Sequence, residues 1–288
     1  MLSLWRRLPI LVRALITGLA VASAGTLPWA FFVTWNQRVF LSVPWAVLPM
    51  TLYLWLYWRY LNGSGWPRTT AEARRTSLRA NGLSGDVWGM SLLAGMVGLA
   101  ALLPLLGIMS RLVRLPAESQ AISAPPHMPV LTVFLLLVMG SVVAGVVEEA
   151  GFRGYMQGPI ERRHGPVVAI LLNGALFGVG HYTHHPASVV AMLPYYLAVA
   201  AVYGGLAYAT NSILPAMVLH AGGDVLSLTR LWATGQPEWQ VSAKPPALIW
   251  ETGADAAFWG YVAAFVLLGT GAVWAYAALA RAARAARA

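Results

Sequence analysis

Apolar residues in this chain come in long runs rather than in the narrow stripes of a soluble amphipathic helix. Runs at about 8–33, 39–58, 87–109, 129–157, 166–182, 186–209, 213–232 and 256–279 are each near the length a helix needs to cross a hydrocarbon layer. The pattern predicts an all-α fold, a polytopic transmembrane helical bundle of about eight spans. Between the runs lie a polar loop at 59–86, a proline-bearing loop at 110–128 with Pro116, Pro125 and Pro126, and a tight polar connection at 161–164. Thr210-Asn211-Ser212 reads as a turn, and 235–255 as a loop holding Lys244. The chain then divides into 1–128 (first helices and an arginine-rich loop), 129–232 (a four-helix core) and 233–288 (a loop, the last helix and a basic tail). Ala22-Ser23-Ala24 resembles a signal-peptidase site, so a cleaved leader is the alternative reading of the first run. That apolar run nevertheless continues through Pro28-Trp29-Ala30-Phe31-Phe32.

Composition agrees with the pattern. The chain is 58% hydrophobic and 10% charged, whereas a soluble domain carries about a quarter charged residues. Cysteine is absent, which removes disulfides, thiolate nucleophiles and Cys-ligated metal sites. The net charge of +9 comes almost wholly from arginine. With eight spans, one side collects Arg6, Arg7, Arg59, Arg68, Arg74, Arg75, Arg79, Arg162, Arg163, Arg281, Arg284 and Arg287. The other side holds Arg38, Arg111, Arg114 and Lys244, so the positive-inside rule places both termini in the cytoplasm. No arginine run is interleaved with aromatics in a soluble segment, which argues against a nucleic-acid partner.

Against this apolar background a few ionisable residues stand out, and such groups usually face a bundle interior and mark function. Glu148-Glu149 follows an uncharged apolar stretch, and Arg153 comes four residues after Glu149. On an α-helix adjacent residues point about 100° apart, so the two glutamates cannot share a task. Glu149 and Arg153 share a face and can pair, leaving Glu148 free to act as a general base. His181 ends Phe177-Gly178-Val179-Gly180-His181, and His220 and Asp224 lie one helical turn apart on one face. Gly174 and Gly178 permit a close helix approach near His181. His184 and His185 are further candidates that read more simply as an interfacial loop, as do His127 and His164.

Glu-Glu-x-x-x-Arg, then Phe-x-x-x-His, then His-x-x-x-Asp resembles the CPBP family of intramembrane proteases. That family includes CAAX prenyl endopeptidases, Abi-type proteins and bacteriocin-processing or self-immunity proteins. The resemblance covers about 129–231. It implies an endopeptidase in which Glu148 is the catalytic glutamate and His181 helps it polarise water. Glu149 and Arg153 form the supporting pair, and His220 with Asp224 stabilises the oxyanion. Asp224 departs from the best-known members, which carry Asn there. An ionised Asp cannot donate a hydrogen bond to an oxyanion, so it must be protonated, orient His220 or help hold a metal. A zinc site at Glu148, His181 and His220 stays open beside a metal-free glutamate mechanism with no cofactor, and the resemblance favours the latter.

The expected activity is therefore hydrolysis of a peptide bond near the membrane-embedded or lipid-modified end of a membrane-associated protein or peptide. CAAX-type processing and leader or tail processing are the two forms it can take. A non-catalytic binding or bacteriocin-immunity protein using the same polar cavity is the alternative. A proton-coupled transporter would predict paired half-repeats, and none is visible in the sequence. Compact loops and an Arg/Ala/Leu-rich composition suit a bacterial inner (plasma) membrane.

Overall fold

The computed structural model describes residues 5, 7–116, 127–181, 186–237, 239, 240, 242 and 244–286. Of the features expected from sequence, Arg6, Pro125, Pro126, Arg287 and residues 182–185 with His184 and His185 lie outside them. Among the described residues all regular structure is helical. The elements are α1 (Ile10–Asn36), α2 (Val47–Leu61), a 3-10 turn (Arg68–Thr70), α3 (Ala71–Leu78), α4 (Gly85–Leu112), α5 (Val130–Glu148), a π-helix (Glu149–Gln157) and α6 (Gly158–His164). There follow α7 (Pro166–His181), α8 (Pro186–Thr210), α9 (Leu214–Thr234), α10 (Ile249–Thr252) and α11 (Ala256–Ala285). Helices Ile10–Asn36, Gly85–Leu112, Val130–His164, Ser188–Thr210 and Ala256–Ala285 are long and apolar enough to cross a membrane. Pro166–His181 is apolar but shorter. This is an integral membrane protein with an all-α bundle.

Three boundaries differ from the sequence expectation, each for a local reason. The second helix starts at Val47 rather than near residue 39, because the Asn36 amide ties down the preceding turn. Its Nδ2 donates to the Val43 carbonyl (3.0 Å) and its Oδ1 accepts from the Ala46 N–H (2.9 Å). The stretch 59–86 is not all loop: it holds the 3-10 turn and α3. Those short elements lack an apolar period and depend on Arg74, whose guanidinium donates to the Tyr60 (2.6 Å), Pro67 (3.0 Å) and Gly65 (2.9 Å) carbonyls. Residues 161–164 are helical as well, since the fourth span runs unbroken through the π-helix and α6 to His164. The chain reverses only at Gly165, where φ is +84° and a side chain would be strained.

The described residues pack into two units, each assembled from separated stretches. One comprises Met1–Asn81, Ile122–Ala169 and Ser212–Thr229. There α1 lays a face of Ala14, Gly18, Ala22 and Gly25 into the interior. A Cβ on Gly18 would stand 2.8 Å from the Gly151 carbonyl, and one on Gly151 would stand 2.7 Å from the Gly18 carbonyl. Small residues of this kind let two backbones meet where no hydrophobic driving force separates helix from lipid. The Tyr57 hydroxyl then donates to the Val21 carbonyl (2.9 Å), linking α2 to α1.

The other unit comprises Gly82–Ala121, Ile170–Asn211 and Arg230–Ala288. Its Gly174 and Gly178 lie against α8, at Leu197, Ala200 and Tyr196, as their spacing predicts. A polar cap joins α4 to the segment before α11. Arg111 donates to both Asp255 carboxylate oxygens (2.8 and 2.9 Å) and to the Ala247 carbonyl (2.7 Å). Arg114 does the same to Glu251 (2.8 and 2.9 Å) and to the Pro246 carbonyl (2.8 Å). The Glu251 carboxyl is held below its ordinary 4.5 by the Leu248 N–H and then by Arg114. Asp255 is held below 3.8 by the Phe258 N–H and then by Arg111. Folded-state values that lie low make the cap's contribution fully present above the ordinary values and lost as pH falls through the lowered ones. Hydrogen exchange of residues 246–256, corrected for intrinsic rates, should therefore stay slow at neutral pH and accelerate below about pH 4. Protection that persists well below that pH would show that these carboxylates do not hold the cap.

Candidate active site

The site lies where α5 passes into the π-helix, within the first unit. Bonding from i to i+5 widens the turn and is rare outside functional sites; here every residue from Glu149 to Gln157 is buried. Two glycines let other backbones close on it: Gly151 faces α1, and a Cβ on Gly154 would stand 2.9 Å from the Leu78 carbonyl. The assumption of plain α geometry through Arg153 is thus corrected, yet the pairing it led to is present. Arg153 Nη1 lies 3.0 Å from Glu149 Oε1, with both side chains buried. Glu148, the last α-helical residue, keeps 22% of its side chain exposed against 0% for Glu149. The two adjacent carboxylates do face different surroundings.

His220 completes the cluster. Its Nδ1 is 2.8 Å from Glu149 Oε1. A carboxylate already paired with a guanidinium is an acceptor, so the imidazole donates Nδ1–H, and the ring orientation is set by that bond. Nε2 then points to the more open side, 3.8 Å from Glu148 Oε2 and 3.7 Å from Asp224 Oδ2. Those separations are too long for direct hydrogen bonds and of a size that a water or a substrate oxygen can bridge. Asp224 is 30% exposed at its side chain and His220 only 7%. Of the residues named from sequence, Glu148, Glu149, Arg153, His220 and Asp224 are brought together.

Gly145, which the sequence reading passed over, makes the meeting possible. It precedes Glu149 by one helical turn, and a Cβ there would stand 2.9 Å from Ala221 N and from the Met217 carbonyl. Backbone contact at this point brings α9 against α5 and presents His220 to Glu149. The Gly145/Glu149 spacing of i, i+4 was the available signal.

His181 belongs to the second unit, as the last residue of α7. A carbonyl can only accept, so His181 donates Nδ1–H to the Phe177 carbonyl at 2.8 Å, while its ring lies 4.4 Å from Phe177 and 5.0 Å from Tyr196, centroid to centroid. His127 and His164 are exposed. The zinc set Glu148, His181 and His220 draws on both units, and in the first unit it reduces to Glu148 and His220. Among the described residues no group of three or more His, Asp or Glu is arranged to hold a metal ion. No step below is routed through a metal.

An all-α integral membrane protein with a buried Glu-Arg pair holding a histidine beside a second glutamate defines a class, the multi-pass membrane proteins with an intramembrane polar site. Residues 130–226 match the family model described as type II CAAX prenyl endopeptidase, Rce1-like. That match is in keeping with the CPBP resemblance and supports, at the level of the family, an intramembrane protease of CAAX type. No curated protein and no solved structure matches the chain.

Removing one partner of a buried ion pair leaves the other charge uncompensated. Glu149→Ala, which strands Arg153 and releases His220, should cost about 3–5 kcal/mol. Glu148→Gln, at a partly exposed position with no direct hydrogen bond to His220, should change stability by less than about 1 kcal/mol. Unfolding of the two variants in detergent checks the contrast; equal losses would show that Glu149 is not the structural member of the pair.

Proposed function

We propose that the protein is an intramembrane endopeptidase that cleaves a membrane-associated protein or peptide, prenylated or otherwise lipid-modified, by glutamate-activated water without a metal or other cofactor. The observation that carries this reading is Glu148, an open carboxylate 3.8 Å from the Nε2 of a histidine that Glu149 holds in place. Glu148 takes a proton from water as the water oxygen attacks the scissile carbonyl carbon. The carbonyl electron pair moves to oxygen, giving a tetrahedral oxyanion. When the C–N bond breaks, the proton passes from Glu148 to the leaving nitrogen. His181 is the second group acting on the water, as the family resemblance implies.

His220 is the oxyanion donor in this scheme. With Nδ1–H committed to Glu149, the ring donates from Nε2 only as an imidazolium. The Asp224 carboxylate, 3.7 Å from that nitrogen, offsets the imidazolium charge. Asp at this position then acts through His220 and need not donate to the oxyanion itself. The arginine distribution supports cytoplasmic placement of both termini, and the compact loops with an Arg/Ala/Leu-rich composition suit a bacterial plasma membrane. The lipid bilayer is its second partner, and no nucleic acid is involved.

Two outcomes test the scheme. Comparison of protein termini in membranes from cells expressing wild type or Glu148→Gln should reveal a new terminus with wild type alone, and purified Glu148→Gln should lose activity about a thousandfold. Identical termini from two equally abundant proteins would favour a binding or immunity role instead. Asp224→Asn should lower kcat about tenfold with KM unchanged, and a higher kcat would mean that residue 224 donates directly.

A further inference from the structure

We infer that Arg79 and the two residues after it form a bracket that sets the distance between the two halves of the active site, so that Arg79 is a positioning residue for the reaction proposed above. Glu148 and Glu149 lie where α5 meets the π-helix, whereas His220 and Asp224 lie on α9, and one short segment bonds to both supports. Arg79 caps α3 with left-handed backbone geometry (φ +57°), and its side chain is buried. Its guanidinium donates Nη1 to Glu161 Oε2 (3.2 Å) and Nη2 to Glu161 Oε1 (3.3 Å), a two-pronged pairing. Glu161 Oε2 also accepts from Gln157 Nε2 at 3.1 Å, and Gln157 is the buried last residue of the π-helix.

The same segment reaches α9 through its backbone. The Arg79 carbonyl accepts the Ile213 N–H (3.0 Å) and the Asn81 carbonyl accepts the Ser212 hydroxyl (2.7 Å). Ser212 Oγ in turn accepts the Leu214 N–H (3.3 Å), at the first turn of α9. α3 is itself pressed on the π-helix, where Gly154 meets the Leu78 carbonyl and the Tyr155 hydroxyl donates to the Arg74 carbonyl (3.3 Å). The π-helix end and the α9 start are therefore tied to three consecutive residues. All of them lie outside residues 130–226, the stretch that carries the family domain. A buried side chain outside the Glu148–His220 cluster would thus govern how Nε2 of His220 sits beside Glu148.

This inference rests on the proteolytic reading for its kinetic arm and is independent of it for its structural arm. The chain has no cysteine, so spin labels at Arg163→Cys and Leu226→Cys report the spacing of α6 and α9 without background. In Arg79→Met, Glu161→Gln and Ser212→Ala the label distance distribution should shift or broaden, and Arg79→Lys should recover part of it. Cleavage in the same variants should fall about tenfold in kcat with KM unchanged, as small misplacement of catalytic groups does. Ser212→Ala removes only a hydroxyl and keeps the question answerable if Arg79→Met does not fold. Distributions identical to the parent in Glu161→Gln and Ser212→Ala would overturn the bracket whatever happens to cleavage. A shifted distribution in variants of a parent that cleaves nothing would support the bracket and sink the proteolytic reading.

Discussion

A carboxylate cannot sit alone in a low-dielectric interior, and Glu149 is wholly buried in the first unit. Its charge is met by Arg153 on one side and by the Nδ1–H of His220 on the other. That shared acceptor does two things at once. It makes the ion pair tolerable inside the bundle, and it turns a mobile imidazole into an oriented one with Nε2 aimed at Glu148 and Asp224. The Glu149–Arg153 pair and His220 are therefore one network, and the loss of Glu149 would undo both.

Close packing is what lets the network form. Glycines at 18, 25, 145, 151 and 154 stand where a Cβ would collide with a facing side chain or backbone. Each removes the side-chain thickness between two helices, and together they draw α1, α3 and α9 onto one span. The π-helix widens the turn at the same place, so all nine of its residues are enclosed. A buried carboxylate needs its partners within hydrogen-bond reach, and backbone contact at Gly145 supplies that reach for His220.

Much of this was legible in the chain. The apolar runs located the helices, because a bilayer crossing demands a length and a polarity that few other elements share. The rare intramembrane charges pointed to the residues that the fold gathers around His220, since uncompensated charge there is too costly to retain without a use. The motif order carried the family resemblance that the match at residues 130–226 supports. Less legible was α3, whose sequence is polar and short and whose helix is held by Arg74 bonding to distant carbonyls. The late start of α2 depended on Asn36 in the same way.

By itself, then, the sequence determined where helices run, which residues are too polar for their surroundings, and that Glu149 and Arg153 would pair. These follow from local periodicity and from solvation, which act along a single stretch of chain. Tertiary structure alone decided that His220 shares Glu149, that α9 meets α5 at Gly145, and that Arg79 ties the π-helix end to the start of α9. Those depend on which small residue faces which backbone across tens of intervening positions, and no spacing within one helix encodes that.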